Sequence, residues 1–174
     1  MALRKILTEP NTILRQKSLL VDKVDEDVRK LMDDMLETMY AAPGIGLAAI
    51  QVGIPKRVIV LDIAQKEGPR KPMYFINPEI IEKSKNNSTY EEGCLSVPGQ
   101  FAEIDRPDQC HIKYLDYHGQ PKEIKAEGML ATCIQHEMDH LEGILFIDYL
   151  SKLKKSMIIK KLSKQKKAIE RIVV

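Results

Sequence analysis

The 174-residue sequence predicts an α+β fold in which mainly antiparallel sheets pack around a central H-E-x-x-H helix, with a basic helix at the C-terminus. Three observations predict this class. Apolar residues recur at helical spacing in segments 25–40 and 128–143, strand-like segments lie between them, and residues 151–174 form a third helical pattern. Because the strands follow one another in a single run, antiparallel pairing is favoured.

The first helix is expected over residues 25–40, and Pro43-Gly44 ends it. Its apolar positions are Val28, Leu31, Met32, Met35, Leu36, Met39 and Tyr40. Strands are expected at 57–63 and 73–81, followed by a polar turn at 85–88. A hairpin follows, with strands at 110–117 and 123–126 joined by a turn at His118-Gly119.

The central helix begins near Gly128, and good helix formers dominate it. Leu130, Ile134, Leu141 and Ile144 supply apolar positions at helical spacing. Gly143 is suited to the left-handed position that ends many helices. We therefore expect an amphipathic helix that packs in the centre of the domain.

This helix carries the motif His136-Glu137-Met138-Asp139-His140, which uses two of the four histidines in the chain. Residues four apart lie on one face of a helix, so both imidazoles can bind a single metal ion. Glu137 then lies within reach of a water on that metal, where it can act as general base. The alternative is a surface helix on which two histidines fall four apart by chance.

A catalytic metal site needs a third protein ligand and one open position. The candidates are Cys94, Cys110, Cys133, His111, His118 and many carboxylates. Cys133 lies roughly 7–8 Å along the helix axis from the midpoint of the histidine pair, too far for a thiolate on the same helix. Cys94 lies between Gly93 and a Pro-Gly pair, where a turn can expose it. Spacing alone favours Cys94 only moderately over the rest.

Composition places limits on the class of protein. Three cysteines without framework spacing indicate a reducing compartment, and no apolar run approaches the 18 residues of a membrane span. The N-terminus lacks a signal-peptide core. We expect one domain in the cytoplasm, or in an organelle if a transit peptide has been removed.

The C-terminal segment 151–174 holds nine basic residues and one acidic residue, a net charge of +8, so the other 150 residues carry −6 of the chain's total of +2. A helical wheel separates a basic face (Lys160, Lys164, Lys167, Arg171) from an apolar face (Ile158, Leu162, Ile169, Val173). The simple interpretation is a solvated helix docked by its apolar side. Binding of an anionic partner is the alternative, and a membrane surface is the weaker form of it.

Three segments in order resemble the peptide deformylase family: GIGLAAIQVG at 44–53, EGCLS at 92–96 and QHEMDHLEG at 135–143. The opening ILTEP at 6–10, with Leu14-Arg15 after it, is similar too. The resemblance covers essentially the whole chain, and no position expected to carry chemistry departs from it. It implies a hydrolase that removes the N-formyl group from the initiator methionine of nascent polypeptides.

The resemblance also implies roles for individual residues. Residues 1–150 would be the catalytic metallohydrolase domain, and residues 151–174 a helix of the same domain. The metal ligands would be Cys94, His136 and His140, with Glu137 as general acid and base. Gln51 would donate its side-chain amide to the oxyanion, together with the backbone N–H of Leu95.

The implied cofactor is one divalent metal ion per chain, and the resemblance favours Fe²⁺. A Cys-His-His ligand set also suits Zn²⁺, Ni²⁺ or Co²⁺. An iron–thiolate site would be oxygen-sensitive, because Cys94 can be oxidised.

The implied substrates are N-formylmethionyl peptides. An extended peptide could add as a strand beside Gly46 and beside Gly93, since glycine lets a backbone approach closely. The methionine pocket would include Ile45, Met129, Thr132, Cys133 and one face of His136. Plain core packing is the alternative for each of them, and for Met129 the two interpretations have equal weight. Glu92 and Arg106 are expected to form an ion pair that supports the Cys94 loop.

Two other functions remain. One is a metal-dependent endopeptidase, and the other is an inactive homologue that associates with ribosomes. The intact Glu137, Gln51 and Cys94 argue against a decayed enzyme. The expected partners are formylated peptides and, through the basic helix, the ribosome; we expect no membrane partner and a monomer.

Overall fold

The structure is a computed structural model that describes residues 1–64 and 68–173, with side chains described up to residue 169. The α-helices are α1 (Glu26–Ala41), α2 (Gly128–Leu141) and α3 (Lys152–Val173). The strands are β1 (Gly46–Ala48), β2 (Val58–Leu61), β3 (Met73–Lys83), β4 (Asn87–Cys94), β5 (Val97–Pro107), β6 (Gln109–Leu115) and β7 (Pro121–Glu127). Short 3₁₀ helices occupy Thr12–Arg15, Ala49–Val52 and Phe146–Tyr149.

The strands form two sheets in which every pairing is antiparallel. One sheet has five strands in the order β1-β2-β3-β6-β7, and the other is the β4–β5 hairpin. The predicted α+β class is thereby confirmed. Among the described strands, β1 lies at one edge of the larger sheet, and β4 pairs with a strand on one side only.

Helix α1 confirms the predicted first helix, shifted by one residue. Asp25 caps it, because its carboxylate accepts the N–H of Val28 at 2.9 Å and so satisfies a donor that the helix leaves unpaired. Met32, Met35 and Met39 are fully buried and pack with residues of β1 and β2.

Helix α2 lies at the centre of the molecule, as predicted. Ile134 and Met138 pack with Ile59, Phe75 and other residues of the larger sheet. Its motif residues His136, Glu137 and His140 are all buried, so the alternative of an exposed helix with a chance histidine pair is wrong.

The β4–β5 hairpin corrects the sequence prediction in one place. A polar turn was expected at 85–88, but Asn87 and Ser88 already pair with Pro107 and Arg106. The segment around Cys94 was expected to be extended or a turn, and it is both: β4 ends at Cys94, and Leu95-Ser96 form the hairpin turn. Cys94 therefore lies at the turn end of the β4–β5 hairpin.

Helix α3 docks through only part of its predicted apolar face. Leu162 is buried, and Ile158 packs beside it against Leu145, Phe146 and other residues of one core cluster. Ile169 is 63% exposed, so the prediction that it belongs to a docked face is wrong. Among the described residues, Leu162 is the last residue of the helix that belongs to a core cluster. The side chains of Arg171 and Val173 lie outside the described residues. Among the described helices, none is long and apolar enough to cross a membrane.

Replacing Gly143 by Ala is expected to destabilise the fold by more than the usual cost of a left-handed residue. Gly143 has φ +74°, and an added Cβ would lie 2.4 Å from the backbone oxygen of Arg15. Gly53 also has a positive φ, +83°, but its nearest neighbour would be 3.8 Å away. Gly53→Ala should therefore cost about 1–2 kcal/mol from backbone strain alone, and Gly143→Ala clearly more. Urea unfolding of both variants measures the difference, and equal losses would contradict the steric argument.

Candidate metal centre and substrate cleft

Three side chains with metal-binding atoms converge where the hairpin turn meets α2. The ligand atoms of Cys94, His136 and His140 lie within 4.8 Å of one another. The Sγ of Cys94 is 3.3 Å from Nε2 of His140. The helix brings the two histidines together by their spacing, and the β4–β5 hairpin adds the cysteine from a different part of the chain.

Among the described residues, the candidates Cys110, Cys133 and His111 are not part of this cluster of ligand atoms. Cys110 and Cys133 are buried in the hydrophobic core around α2. Burial raises the pKa of both thiols, that of Cys133 to about 12, so neither is disposed to form the thiolate that binds a metal. His111 pairs instead with Glu123 at the surface of the hairpin, 2.9 Å away.

A buried ion pair supports the first histidine. Nδ1–H of His136 donates to Glu92 at 2.8 Å, which leaves Nε2 as its free ring nitrogen. The predicted pair of Glu92 with Arg106 is confirmed, with two bonds of 2.7 and 3.0 Å. Burial opposes ionisation of Glu92, but its hydrogen bonds from His136 and Arg106 hold its pKa below the usual range.

The same guanidinium contacts two residues that the sequence analysis did not identify. Arg106 Nη1 donates to Asp139 at 2.8 Å, and Tyr149 donates its hydroxyl to that carboxylate at 2.7 Å. Asp139 is one of the variable positions of the H-E-x-x-H pattern, so the motif gave no reason to single it out. Its spacing of three from His136 was the signal available.

Gln51 is buried beside Cys94, and its amide is bonded at both ends. Its Oε1 accepts the N–H of Ala48 at 2.9 Å. Its Nε2 lies 3.0 Å from Ser96 Oγ and 3.5 Å from Cys94 Sγ. The bond to its own loop fixes which way the amide points, and the N–H groups are thereby directed at the hairpin turn.

Glu137 occupies the wall between the histidines and strand β1. It is 5% exposed, and its Oε2 has no hydrogen-bond partner among the residues that the structure describes. Burial raises the pKa of Glu137 to about 7. Its Oε1 lies against Gly46, where a Cβ would be only 2.5 Å away. A carboxylate without a protein partner, facing the candidate ligands, is suited to receive a proton.

A cleft of about 580 Å³ opens on these groups. All residues predicted to bind substrate line it: Ile45, Gly46, Gly93, Met129, Thr132 and Cys133. Gln51, Cys94, Leu95, His136 and Glu137 line it as well. Phe101 and Met129 are 65% and 45% exposed, so the cleft has two large apolar side chains at its mouth. Phe101 was not predicted, because the strand that carries it was not.

The residues fit a divalent metal ion. Cys94, His136 and His140 would hold the ion through one sulfur and two imidazole nitrogens, and Cys94 and His136 also line the cleft. Three protein ligands are the number typical of catalytic metal sites. The partner of His136 Nδ1 is a carboxylate, an arrangement typical of metal-binding histidine. Nδ1 of His140 is buried, with no hydrogen-bond partner among the described residues.

A three-ligand site beside an unpaired glutamate in a peptide-sized cleft defines a metal-dependent hydrolase. Comparison with known proteins specifies the family. The family model described as polypeptide deformylase matches residues 3–156. The chain is 66% identical over 174 residues to the peptide deformylase of Pelagibacter ubique and 60% identical over 171 residues to that of Maricaulis maris; the first comparison covers 100% and the second 98% of each chain.

Solved structures agree. The peptide deformylase of Ehrlichia chaffeensis in complex with actinonin superposes with a TM-score of 0.91 at 47% identity, covering 95% of this chain and 98% of that one. The peptide deformylase of Legionella pneumophila gives 0.90 at 44% identity, covering 98% and 99%. The chain therefore belongs to the polypeptide deformylase family, and it is a metal-dependent hydrolase that removes N-formyl groups.

Proposed function

We propose that this enzyme removes the N-formyl group from the initiator methionine of nascent polypeptides and releases formate. The observation that carries the proposal is the position of Glu137, buried beside the Cys94, His136 and His140 donor atoms at the wall of a cleft. We place this activity in residues 1–150 and assign helix 151–174 to the same domain, since Leu162 packs into its core.

Cys94, His136 and His140 would hold the divalent ion. The ion would supply Lewis-acid activation of water at neutral pH. We propose Fe²⁺ as the working ion, with Zn²⁺, Ni²⁺ or Co²⁺ as ions that the same ligands accept. Prolonged aeration of an iron-loaded sample should then abolish activity as Cys94 is oxidised, and undiminished activity would contradict the assignment.

Glu137 takes the proton of the attacking water and later passes a proton to the departing amine nitrogen. The amide of Gln51 and the backbone N–H of Leu95 stabilise the oxyanion that develops on the formyl oxygen. The bond from Ala48 to Gln51 Oε1 supports this role, because it holds the amide in one orientation before substrate arrives. The C–N bond of the formamide breaks, and formate and a free amine result.

The cleft suits an extended peptide. Gly46 and Gly93 lie on the free edges of β1 and β4, where a substrate backbone could pair as an added strand. Recognition through backbone groups is blind to most side chains, which suits an enzyme that acts on many nascent chains. The methionine side chain would fill the apolar pocket bordered by Ile45, Met129, Thr132, Cys133 and one face of His136.

The test is formate release from formyl-Met-Ala-Ser by protein purified anaerobically with Fe²⁺. We expect stoichiometric formate and an intact Met-Ala-Ser product. Cleavage of internal peptide bonds would indicate the endopeptidase instead. No formate from fully loaded protein would indicate the inactive homologue.

Gly46→Ala is expected to lower kcat by about 10–100-fold, since small displacements of catalytic groups have effects of this size. The new Cβ would lie 2.5 Å from Glu137 Oε1 and 2.7 Å from Leu61 Cδ2, so the carboxylate must move. Gly68→Ala is the control, because no described residue other than its chain neighbours has an atom within 4 Å of its Cβ position. Formate assays with metal analysis check this, and a Gly46→Ala enzyme as active as the control would contradict the close approach.

Helix α3 is proposed to bind ribosomal RNA. Its exposed lysines include Lys160, Lys164, Lys166 and Lys167, and its docked end leaves them free of the core. Replacing the last three by Gln should weaken ribosome co-sedimentation. The number of counterions released on binding, obtained from the salt dependence of the affinity, should fall by up to about three. Activity on short formyl peptides should not change. Binding that is independent of salt and of these lysines would leave α3 as a solvated helix.

We further propose that the enzyme is a monomer and that it acts in the bacterial cytoplasm.

A further inference from the structure

The 3₁₀ turn Phe146–Tyr149, which follows α2, is fixed by contacts at Asp148. Its carboxylate accepts from Arg15 at 2.6 Å and from the N–H of Leu145 at 3.0 Å, and it forms an ion pair with Lys155 at 2.7 Å. The turn is thereby tied to the N-terminal segment and to α3. Its aromatic side chains consequently have a defined position relative to α2.

Two of these side chains reach the α2 motif from the same turn. The ring of Phe146 stacks on His136, with centroids 6.2 Å apart and an interplanar angle of 26°. Tyr149 donates its hydroxyl to Asp139 Oδ2 at 2.7 Å, and its ring lies 5.1 Å from the guanidinium carbon of Arg106. Partial burial and the bond to Asp139 raise the pKa of Tyr149 to about 12, so the phenol remains a donor at neutral pH.

These contacts continue to the candidate ligand through charged bonds. Asp139 accepts from Nη1 of Arg106, whose Nε and Nη2 form the paired bonds to Glu92. Glu92 in turn accepts Nδ1–H of His136. A guanidinium is planar, so fixing Nη1 from one side also fixes the edge that it presents to Glu92.

We propose that Tyr149 and Asp139 are positioning residues for the metal centre, which act through Arg106 and Glu92 to set the orientation of His136. Without the phenol, Asp139, which is 20% exposed, is free to turn toward water. Nη1 of Arg106 then loses the acceptor that fixes the orientation of the guanidinium. Glu92, which pairs with that guanidinium, then holds the imidazole of His136 less firmly. The inference rests on the proposed function, because it takes His136 as a metal ligand.

The experiment uses full-length protein and two metal readouts. Tyr149→Phe removes only the hydroxyl, and it should weaken Zn²⁺ binding about 10-fold in a chelator competition. It should also change the visible absorption of the Co²⁺ form. Asp139→Asn should have a larger effect of the same kind. The matched control is Tyr117→Phe, whose hydroxyl also donates to an aspartate, Asp33 at 3.1 Å, but in the core cluster under α1.

The outcomes separate this inference from the proposed function. Wild type that binds no Zn²⁺ or Co²⁺, or Cys94→Ala that binds as tightly as wild type, contradicts the metal centre itself. Tight binding by wild type, with a Tyr149→Phe affinity within twofold and an unchanged Co²⁺ spectrum, overturns the positioning role. If Asp139→Asn does not fold, Tyr149→Phe decides the question, since it leaves the charged pairs in place.

Discussion

Glu137→Gln is expected to lower kcat by about 10²–10⁴-fold, the range that a positioned general acid and base supplies. The amide has nearly the size of the carboxylate, so it can occupy the same space between Gly46 and the histidines. It cannot take a proton from water, however. The side chain is buried, and its Oε2 has no hydrogen-bond partner among the described residues. We therefore expect no neighbouring side chain to replace Glu137 as the base.

The measurement is formate release with metal content determined on the same samples. Glu142→Gln is the control, because Glu142 follows the same helix but is exposed and pairs with Arg57 and Lys17. Metal content should be unchanged in both variants. A Glu137→Gln enzyme with more than about a tenth of wild-type kcat would exclude Glu137 as general base.

Cys94→Ala is expected to lose metal and activity together. Removing a partner of a ligand costs roughly 10–100-fold in metal affinity, so removing one of three ligands should cost more. The fold should persist, because Cys94 ends a strand that is paired along its length with β5. Deletion of the thiolate therefore tests the site without removing the hairpin that holds it.

The matched control is Cys110→Ala, which deletes a thiol from the core. Its metal affinity should equal that of wild type, although some stability is lost to the cavity. Equilibrium competition for Zn²⁺ compares the two variants. Equal affinities for Cys94→Ala and Cys110→Ala would show that Cys94 is not a ligand, and the third ligand would have to be sought elsewhere.

The sequence by itself determined the elements whose signals are local. Helix α1 follows from apolar residues at helical spacing and from the Asp25 cap, and α2 from its motif and Gly143. The His136 and His140 pair needed only the helical repeat, since both lie on one element. Resemblance to a family supplied Cys94, which spacing alone favoured only moderately over the other candidates.

Tertiary structure alone decided what depends on contacts between distant segments. Strand β1 has three residues, and β5 carries mixed polar and apolar residues, so neither has a strong periodic signal and each is a strand because of its partner. Arg106 lies 14 residues from Glu92 and 33 from Asp139, and only the hairpin crossing behind α2 brings them together. The partial docking of α3 has the same origin. Its sequence repeats an apolar face to the end, but among the described side chains those packed into the core extend only as far as Leu162. Local periodicity fixes which face of a helix is apolar, whereas the shape of the assembled domain fixes how much of that face is buried.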